Sequence, residues 1–577
     1  MLVRLCRERG ALRAVLARLA WFLVINGAWR TLGYGRLSNY AAERLGVSGK
    51  WVDGLAIVAH AFLRFPRLEE ALVSGALGWT KVRLLARLPV GEDEAEWIAL
   101  ARRLTAEQLA KRVREVDRGS LEGGALDDEP RGTVFEVRCS PEVRLKWHHG
   151  RVYASRVAGR MLQDAEAAEL IAAEVLSAIP IDEPADADAP AAREDADGSR
   201  SQPNDSEDEG ATMREADPAS GPLGQGYGAL EVLLDGAANA DPFELDERLR
   251  RALSLEQRLD ARMGPLLFRV WGRWLHRALG YPTREAYARE RLGMDPTRAR
   301  ALVRLERAAM RSEPFARGYR SGRLSWVKAG LLAPLVDLDP LGRFMGDWVT
   351  WAQRVTVRRL REDVNWAVTL QDIDPGAFLR TGALPADREI RSWMPNPTPV
   401  GDGTSSATGP ERPAVRTAKE PCTVRIVGAP DVVQLLRAVL CTVRRRMETI
   451  DGQLPSEGQA LGVMLDYAFA CWGIGKKVSS EHRVFDRDGW LCRVPGCTSM
   501  ENLQNHHIQF RSRGGSDDPP NRVSLCAFHQ LRGVHAERIR CTGRAPDGLR
   551  WEIGTRPGKA PLAVYGSGDV EIAGGAN

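Results

Sequence analysis

The segment Asn502–Gln530, NLQNHHIQFRSRGGSDDPPNRVSLCAFHQ, carries adjacent histidines, a Gly-Gly turn, an asparagine, a cysteine and a third histidine. Together with the residues just upstream, it decides what the C-terminal part of the chain folds around. Cys492 and Cys497 form a C-x4-C pair, and Cys526 with His529 forms a C-x2-H pair. Two such pairs, each presented by a turn or a helix start, are what tetrahedral zinc requires, so the spacing predicts one structural Zn²⁺. HHI reads as strand, and alternation along a strand turns His506 and His507 to opposite faces, free for different tasks. RSRGGSDDPP is turn chemistry. NRVSL reads as a second strand, CAFHQLRGVHAER as a helix, and His482 as a surface residue.

Working outward, the chain of 577 residues is too long for one core, and its length suggests about three to four domains. Its 44% apolar and 27% charged content is ordinary for a soluble protein, and +5 is a small difference between 81 basic and 76 acidic residues. Nine cysteines in such a length do not make a disulfide scaffold; outside the cluster they read as reduced cytosolic thiols. The N-terminal run from Leu19 to Ala28 resembles a signal peptide, but it is too short to span a bilayer. A similar segment recurs at Gly264–Tyr281, so both are expected as buried helices, with no membrane partner.

The recurrence is general. LGYGRLSNYAAERLG at Leu32–Gly46 matches LGYPTREAYARERLG at Leu279–Gly293, an offset of 247 residues. SGALGWTKVRLL and SGRLSWVKAGLL keep it, and after a short insertion EWIALARRLT matches DWVTWAQRVT. The strand-like FEVRCSPEV and VRIVGAPDV also correspond. Helical periodicity dominates each copy, with one short β element. The expected fold is therefore a mainly α multidomain chain, two tandem copies of a helical module, plus a small C-terminal α+β zinc-containing ββα-metal domain.

The expected domains are copy 1 at 1–177 and an acidic disordered linker at 178–228. Copy 2 follows at 229–394, then a Pro/Gly/Ser/Thr-rich linker at 395–421. The strand-helix remainder of copy 2 occupies 422–478, the C-terminal domain 479–556 and a flexible tail 557–577. The acidic linker offsets much of the basic charge, leaving folded parts more basic than +5 suggests, which favours a polyanion partner. AAERLGVSGKWV places Ala42, Gly46 and Val52 as a helix-turn-helix would; a structural hairpin accounts for them equally well. His148 and His149 are expected as a solvated loop pair.

The residues RDGWLCRVPGC, HHI, the Gly-Gly turn, Asn521 and LCAFH resemble the HNH endonucleases, the ββα-metal nucleases, over about Val484 to Gly554. The duplicated helical part resembles the region preceding that domain in bacterial proteins of the 13E12-repeat type. The resemblance implies a bacterial cytoplasmic enzyme hydrolysing DNA phosphodiesters, with DNA and a homodimer partner. It makes His507 the general base and His506 a ligand of one catalytic divalent ion, Mg²⁺ or Mn²⁺. Asn521 would orient His507, and Arg511, Arg513, Arg522, Arg532 and Arg538 would contact phosphates. This sequence departs at Gln530, where relatives with this spacing commonly carry a histidine. An amide oxygen is a weaker ligand for a transition ion, though acceptable to magnesium. His535 is the candidate substitute, but on an ideal helix it lies about 180° from Cys526 and Gln530 about 40°. A zinc-stabilised DNA-binding protein with weak or lost cleavage is the alternative reading.

Overall fold

A computed structural model describes residues 1–117, 133–178, 230–384, 422–447, 454–474 and 482–572. The acidic linker beyond Ala178 and the linker at 395–421 lie outside the described residues. The chain is mainly helical, with three small antiparallel sheets among the described residues.

Copy 1 runs through α1 (Leu2–Ile25), α2 (Gly49–Arg64), α3 (Pro66–Val73), α4 (Trp79–Leu85), α5 (Glu94–Arg103) and α6 (Ala106–Asp117). It continues into β1 (Thr133–Cys139), α7 (Pro141–Val157) and α8 (Asp164–Ala178). Copy 2 repeats the series as α9 (Pro242–Gly272), α10 (Pro296–Arg311), α11 (Glu313–Arg320), α12 (Trp326–Leu338), α13 (Met345–Arg354) and α14 (Val357–Ile373). It closes with β2 (Cys422–Gly428), α15 (Pro430–Arg446) and α16 (Glu457–Cys471). Even the π turn before α2, Ala41–Leu45, recurs at Tyr287–Arg291.

The copies clasp each other instead of standing in tandem. β1 pairs only with β2, and Glu136 sits opposite Arg425, its own repeat equivalent. A local two-fold axis therefore passes through that pair. The strands' inner faces share one core, with Phe135, Val137 and Ile171 from copy 1 against Val424, Ile426 and Leu465 from copy 2. A two-stranded ribbon is marginal alone, so each strand depends on the other copy. α1 crosses α9 at a second pair of equivalents, where Arg9 Nε donates to Glu256 Oε1 at 3.1 Å. Further contacts are reciprocal: Thr80 N–H donates to Gly293 O at 3.2 Å, and Val327 N–H to Gly46 O at 3.1 Å. Glu43 accepts from the N–H groups of Val357 (2.7 Å) and Arg358 (3.1 Å) at the start of α14, and Glu290 accepts from Ala106 (2.8 Å) at the start of α6.

The structure bears on two of the expectations. Gly46 (φ +66°) is buried against copy 2, where an added Cβ would lie 2.3 Å from Ser325 Cβ. The turn itself thus packs against copy 2, while α2 keeps an exposed face that includes Ile57 and Leu63. The Gly264–Tyr281 segment is buried through Trp271 and then exposed at Trp274, while its N-terminal twin lies in α1 with Leu19, Ala20 and Leu23 fully buried. Among the described residues no helix is long and apolar enough to cross a membrane.

His148 and His149 lie within α7, not in a loop, and His148 is buried against Trp366 and Thr369 of α14. Burial and the nearby Arg151, His149 and Arg144 push His148 down to about 3. The unfolded chain binds a proton near 6.5 that the folded chain refuses, so this contribution is whole above that pH and shrinks as pH falls toward 3. The expected result is that wild type loses about 2–3 kcal/mol more than His148→Gln between pH 7.5 and 4.5, read from urea midpoints.

The C-terminal part contains α17 (Arg483–Arg487), a hairpin of β3 (Leu503–His507) with β4 (Arg522–Cys526), and the sheet β5 (Ile539–Arg544), β6 (Gly548–Ile553), β7 (Ala563–Gly566). Its apolar residues, among them Leu525, Ile539 and Trp551, join the same core as Val15, Leu19 and Val58 of copy 1. Residues 557–572, expected as part of a tail, build β7 and carry Asp569, which is buried and ion-paired with Arg358 of α14.

Candidate metal centre and the histidines beside it

Four ligand-type side chains converge between the start of β3, the end of β4 and the upstream loop. Cys492, Cys497, Cys526 and His529 are all buried, and their ligand atoms lie within 4.8 Å of one another. His529 Nδ1 is 3.3 Å from Cys492 Sγ and 3.2 Å from Cys526 Sγ. Its Nε2 lies 3.2 Å from the carbonyl of Gly33 in copy 1, which puts the proton on Nε2 and leaves Nδ1 for a metal. Arg358 of copy 2 donates Nη1 to the carbonyl of Cys492 at 3.0 Å and to that of Cys497. Both copies thus brace the ligand loops.

The four groups shift one another strongly. Hydrogen bonding from Cys492 and Cys497 pulls the Cys526 thiol far below its usual range. Burial opposes a charge on His529, yet Cys497 and Cys526 raise it to about 10. Without a metal these opposite shifts amount to a buried thiolate–imidazolium pair. This Cys3His set could hold a divalent metal such as zinc, whose direct ligation would take the place of that pair.

Next to this cluster β3 sorts its two histidines as alternation requires. His506, opposite Val523, is buried; His507, opposite Arg522, is partly exposed. His507 Nε2 lies 2.6 Å from Asp517 Oδ1, and Arg511 Nε holds the same oxygen at 2.9 Å. Those two partners, Arg511 first, hold the Asp517 carboxyl down to about 2. Asn521 makes no hydrogen bond to His507. Its Oδ1 accepts from Gln509 N–H (2.8 Å) and its Nδ2 donates to the carbonyls of Gln509 (3.1 Å) and Ser516 (2.7 Å). It locks the loop that carries Asp517, so it acts on His507 at one remove. Gly515 is required there, since a Cβ would fall 1.9 Å from Gln509 O.

The segment after Cys526 is not an ideal helix. It is a π turn over His529–Val534, and His535 N–H donates to Gln530 O at 3.1 Å. The i→i+5 winding brings Gln530 and His535 to one face, with Gln530 Nε2 3.0 Å from His535 Nε2. The angular separation expected from 100° per residue does not hold. His506 meets His535 with ring centroids 5.9 Å apart, and Phe510 stacks on His535. Burial, then His535, pushes His506 down to about 4, with Gln530 opposing. Two polar atoms here, His506 Nε2 and Gln530 Oε1, are buried without a hydrogen-bond partner. Either a hydrogen bond between these two side chains, the interaction that raises His506, or a bound cation would satisfy them.

The arginines divide. Arg511 is committed to Asp517, Arg513 lies over the Phe510 ring at 5.6 Å, and Arg532 is exposed. Arg522 Nε is buried without a partner, and Arg538 donates to Arg30 O at 3.3 Å in copy 1. His482 is exposed beside Phe485 and Trp490. Sequence reasoning missed Asp517, Phe510, Gly33 and Arg358. Only Asp517 had a local signal, an acidic pair in the loop that returns from β3.

No family model, curated protein or solved structure matches this chain.

Proposed function

We propose that the C-terminal unit is a metal-dependent phosphodiester hydrolase of the ββα-metal class. Within that class it reads as an HNH endonuclease acting on DNA, with the duplicated helical part positioning the DNA or a partner chain. The observation that carries this is the pairing of jobs on β3: orphaned His506 Nε2 beside Gln530 Oε1 and His535 on one face, and His507 backed by Asp517 on the other. A purely structural zinc knuckle has no use for either.

With its Nε2 proton held toward Asp517, His507 has Nδ1 left as the proton acceptor for an attacking water. Asp517 fixes the ring and stabilises the imidazolium that forms, and Asn521 keeps Asp517 in place. His506, Gln530 and His535 would hold a divalent ion, Mg²⁺ or Mn²⁺, which polarises the scissile phosphate and stabilises the leaving oxygen. Arg522 and Arg513 would pair with flanking phosphates. The Cys3His cluster, as a structural zinc, sets the spacing of β3, β4 and the π turn.

The test is nicking of supercoiled plasmid with Mg²⁺, Mn²⁺ or Ni²⁺. Wild type is expected to nick at least about 100-fold faster than His507→Ala, and Gln530→His to nick faster than wild type. Equal nicking by wild type and His507→Ala, or none with any metal, overturns the reading. The second reading, a zinc-stabilised DNA-binding protein, draws on Gln530 itself, whose amide nitrogen already occupies His535. Retention of DNA in gel shifts without cleavage would favour it.

A further inference from the structure

The duplication creates a cavity twice, and the two versions differ in a way that identifies a ligand. In copy 1 a cavity of about 310 Å³ opens between α1, the residues leading into α4, and the π turn of copy 2. The same place one repeat on, between α9, the start of α12 and the π turn of copy 1, retains only about 20 Å³. The walls correspond at the 247-residue offset: Arg9 to Glu256, Gly10 to Gln257, Arg13 to Asp260, Trp79 to Trp326, Gly293 to Gly46.

The small version is plugged by its own chain. Gln257 Nε2 donates to the carbonyls of Tyr319 (3.2 Å) and Leu324 (2.6 Å). The Arg298 guanidinium lies 3.3 Å from the Trp326 ring and pairs with Asp260, so an internal cation neutralises an acidic wall. In the open version Gly10 stands for Gln257 and Trp51 for Arg298, and the cation over the ring is the wall's own Arg13, 4.9 Å from Trp79. The wall is also inverted in charge, Arg9 and Arg13 replacing Glu256 and Asp260.

Among the described residues no internal anion fills the inverted cavity. Arg9 and Arg13 are buried and share Glu256 and Asp260 with Arg298, three guanidiniums on two carboxylates. Glu290, the acidic lining residue, is taken by the Ala106 N–H at 2.8 Å and by Lys81 at 3.8 Å. Around the mouth Arg7, Arg102 and Arg289 form no ion pair among the described residues, and their counterparts at the plugged site are the neutral Ser254, Gln353 and Ala42. Arg9 Nη2, with Asp260 at 3.3 Å, and Arg289 Nε are buried atoms without a hydrogen bond. Burial and the adjacent Arg9 push Arg13 down to about 10, while Asp260 and Glu256 raise Arg9.

We infer that this cavity binds a small phosphorylated molecule, no larger than a mononucleotide, with its phosphate on Arg13, Arg102 and Arg289. Guanidinium forks match phosphate oxygens, and the volume lies at the lower end of ligand pockets. A duplex backbone is too wide to reach Arg9 and Arg13, which sets this site apart from the DNA-cutting one.

The test is calorimetric titration of the full chain with inorganic phosphate, pyrophosphate or AMP, with a short DNA duplex as a further arm. One saturable site per chain is expected for pyrophosphate or AMP. Gly10→Gln, which copies the natural plug of the twin, should abolish it, and Arg102→Gln, at an exposed position, should weaken it about tenfold. Circular dichroism and metal content are expected to match wild type in both. If Gly10→Gln misfolds, Arg102→Gln and Arg289→Gln decide. The inference is overturned if none of the three small anions saturates, if binding survives both arginine substitutions unchanged, or if the duplex alone competes for the site.

Discussion

Cys497→Ser is expected to lower the metal content from about one zinc per chain to nearly none and to unfold the C-terminal unit. Structural zinc in small domains supplies apparent binding energies of about 10–16 kcal/mol, and that energy is folding energy. Here the four ligands draw together the loop before β3, the end of β4 and the π turn. Losing one sulfur leaves two other thiols and an imidazole buried without the charge that justified them. Because Leu525, Ile539 and Trp551 belong to the same core as α1 and α2, the damage should extend into copy 1. Cys541→Ser is the control: that cysteine is buried but lies outside the cluster, so zinc content should stay at wild-type level. Metal analysis with thermal melting reads both, and a Cys497→Ser chain that keeps its zinc would sink the assignment.

Glu256→Ala is expected to be the most damaging single change in the helical part, costing about 3–5 kcal/mol. Glu256 is buried and accepts from Arg9 at 3.1 Å and Arg13 at 3.0 Å across the α1–α9 crossing. Burial opposes its charge, but Arg13, Arg9 and Arg298 hold it down to about 2. Without it, the buried Arg9 and Arg13 and the partly buried Arg298 face Asp260 alone. The sign follows from the depressed pKa: the contribution is complete above the ordinary carboxylate range and is lost as pH falls toward 2. Glu247→Ala removes an exposed i,i+4 pair with Arg251 on the same helix and should cost under about 0.5 kcal/mol. Thermal midpoints of the two variants make the comparison. Similar midpoints would show that the crossing is not held by this cluster.

Much of the local structure was legible. Helical spacing located the elements of both copies, because an amphipathic helix writes its buried face into the sequence. The constant offset made the repeat visible, and the two ligand pairs identified the metal cluster. Alternation along β3 told His506 from His507. Gln530 and His535 were misplaced because the π turn adds a residue to the winding, which no spacing rule for an ideal helix contains. Asn521 bonds the loop where His507 was expected, since the polar partners of a hairpin are chosen in three dimensions.

By itself, the sequence determined that the chain is helical, duplicated and ended by a Cys/His cluster, because those features depend on residues close in sequence or on simple self-similarity. Only the tertiary structure decided that the two copies clasp about a local axis through Arg9–Glu256 and Glu136–Arg425. It also decided that Gly33 and Arg358 brace the metal ligands, and that Gly10 leaves open a cavity its twin closes. Each of these joins residues far apart in the chain, whose pairing is set by which buried charges and backbone groups would otherwise go unmatched.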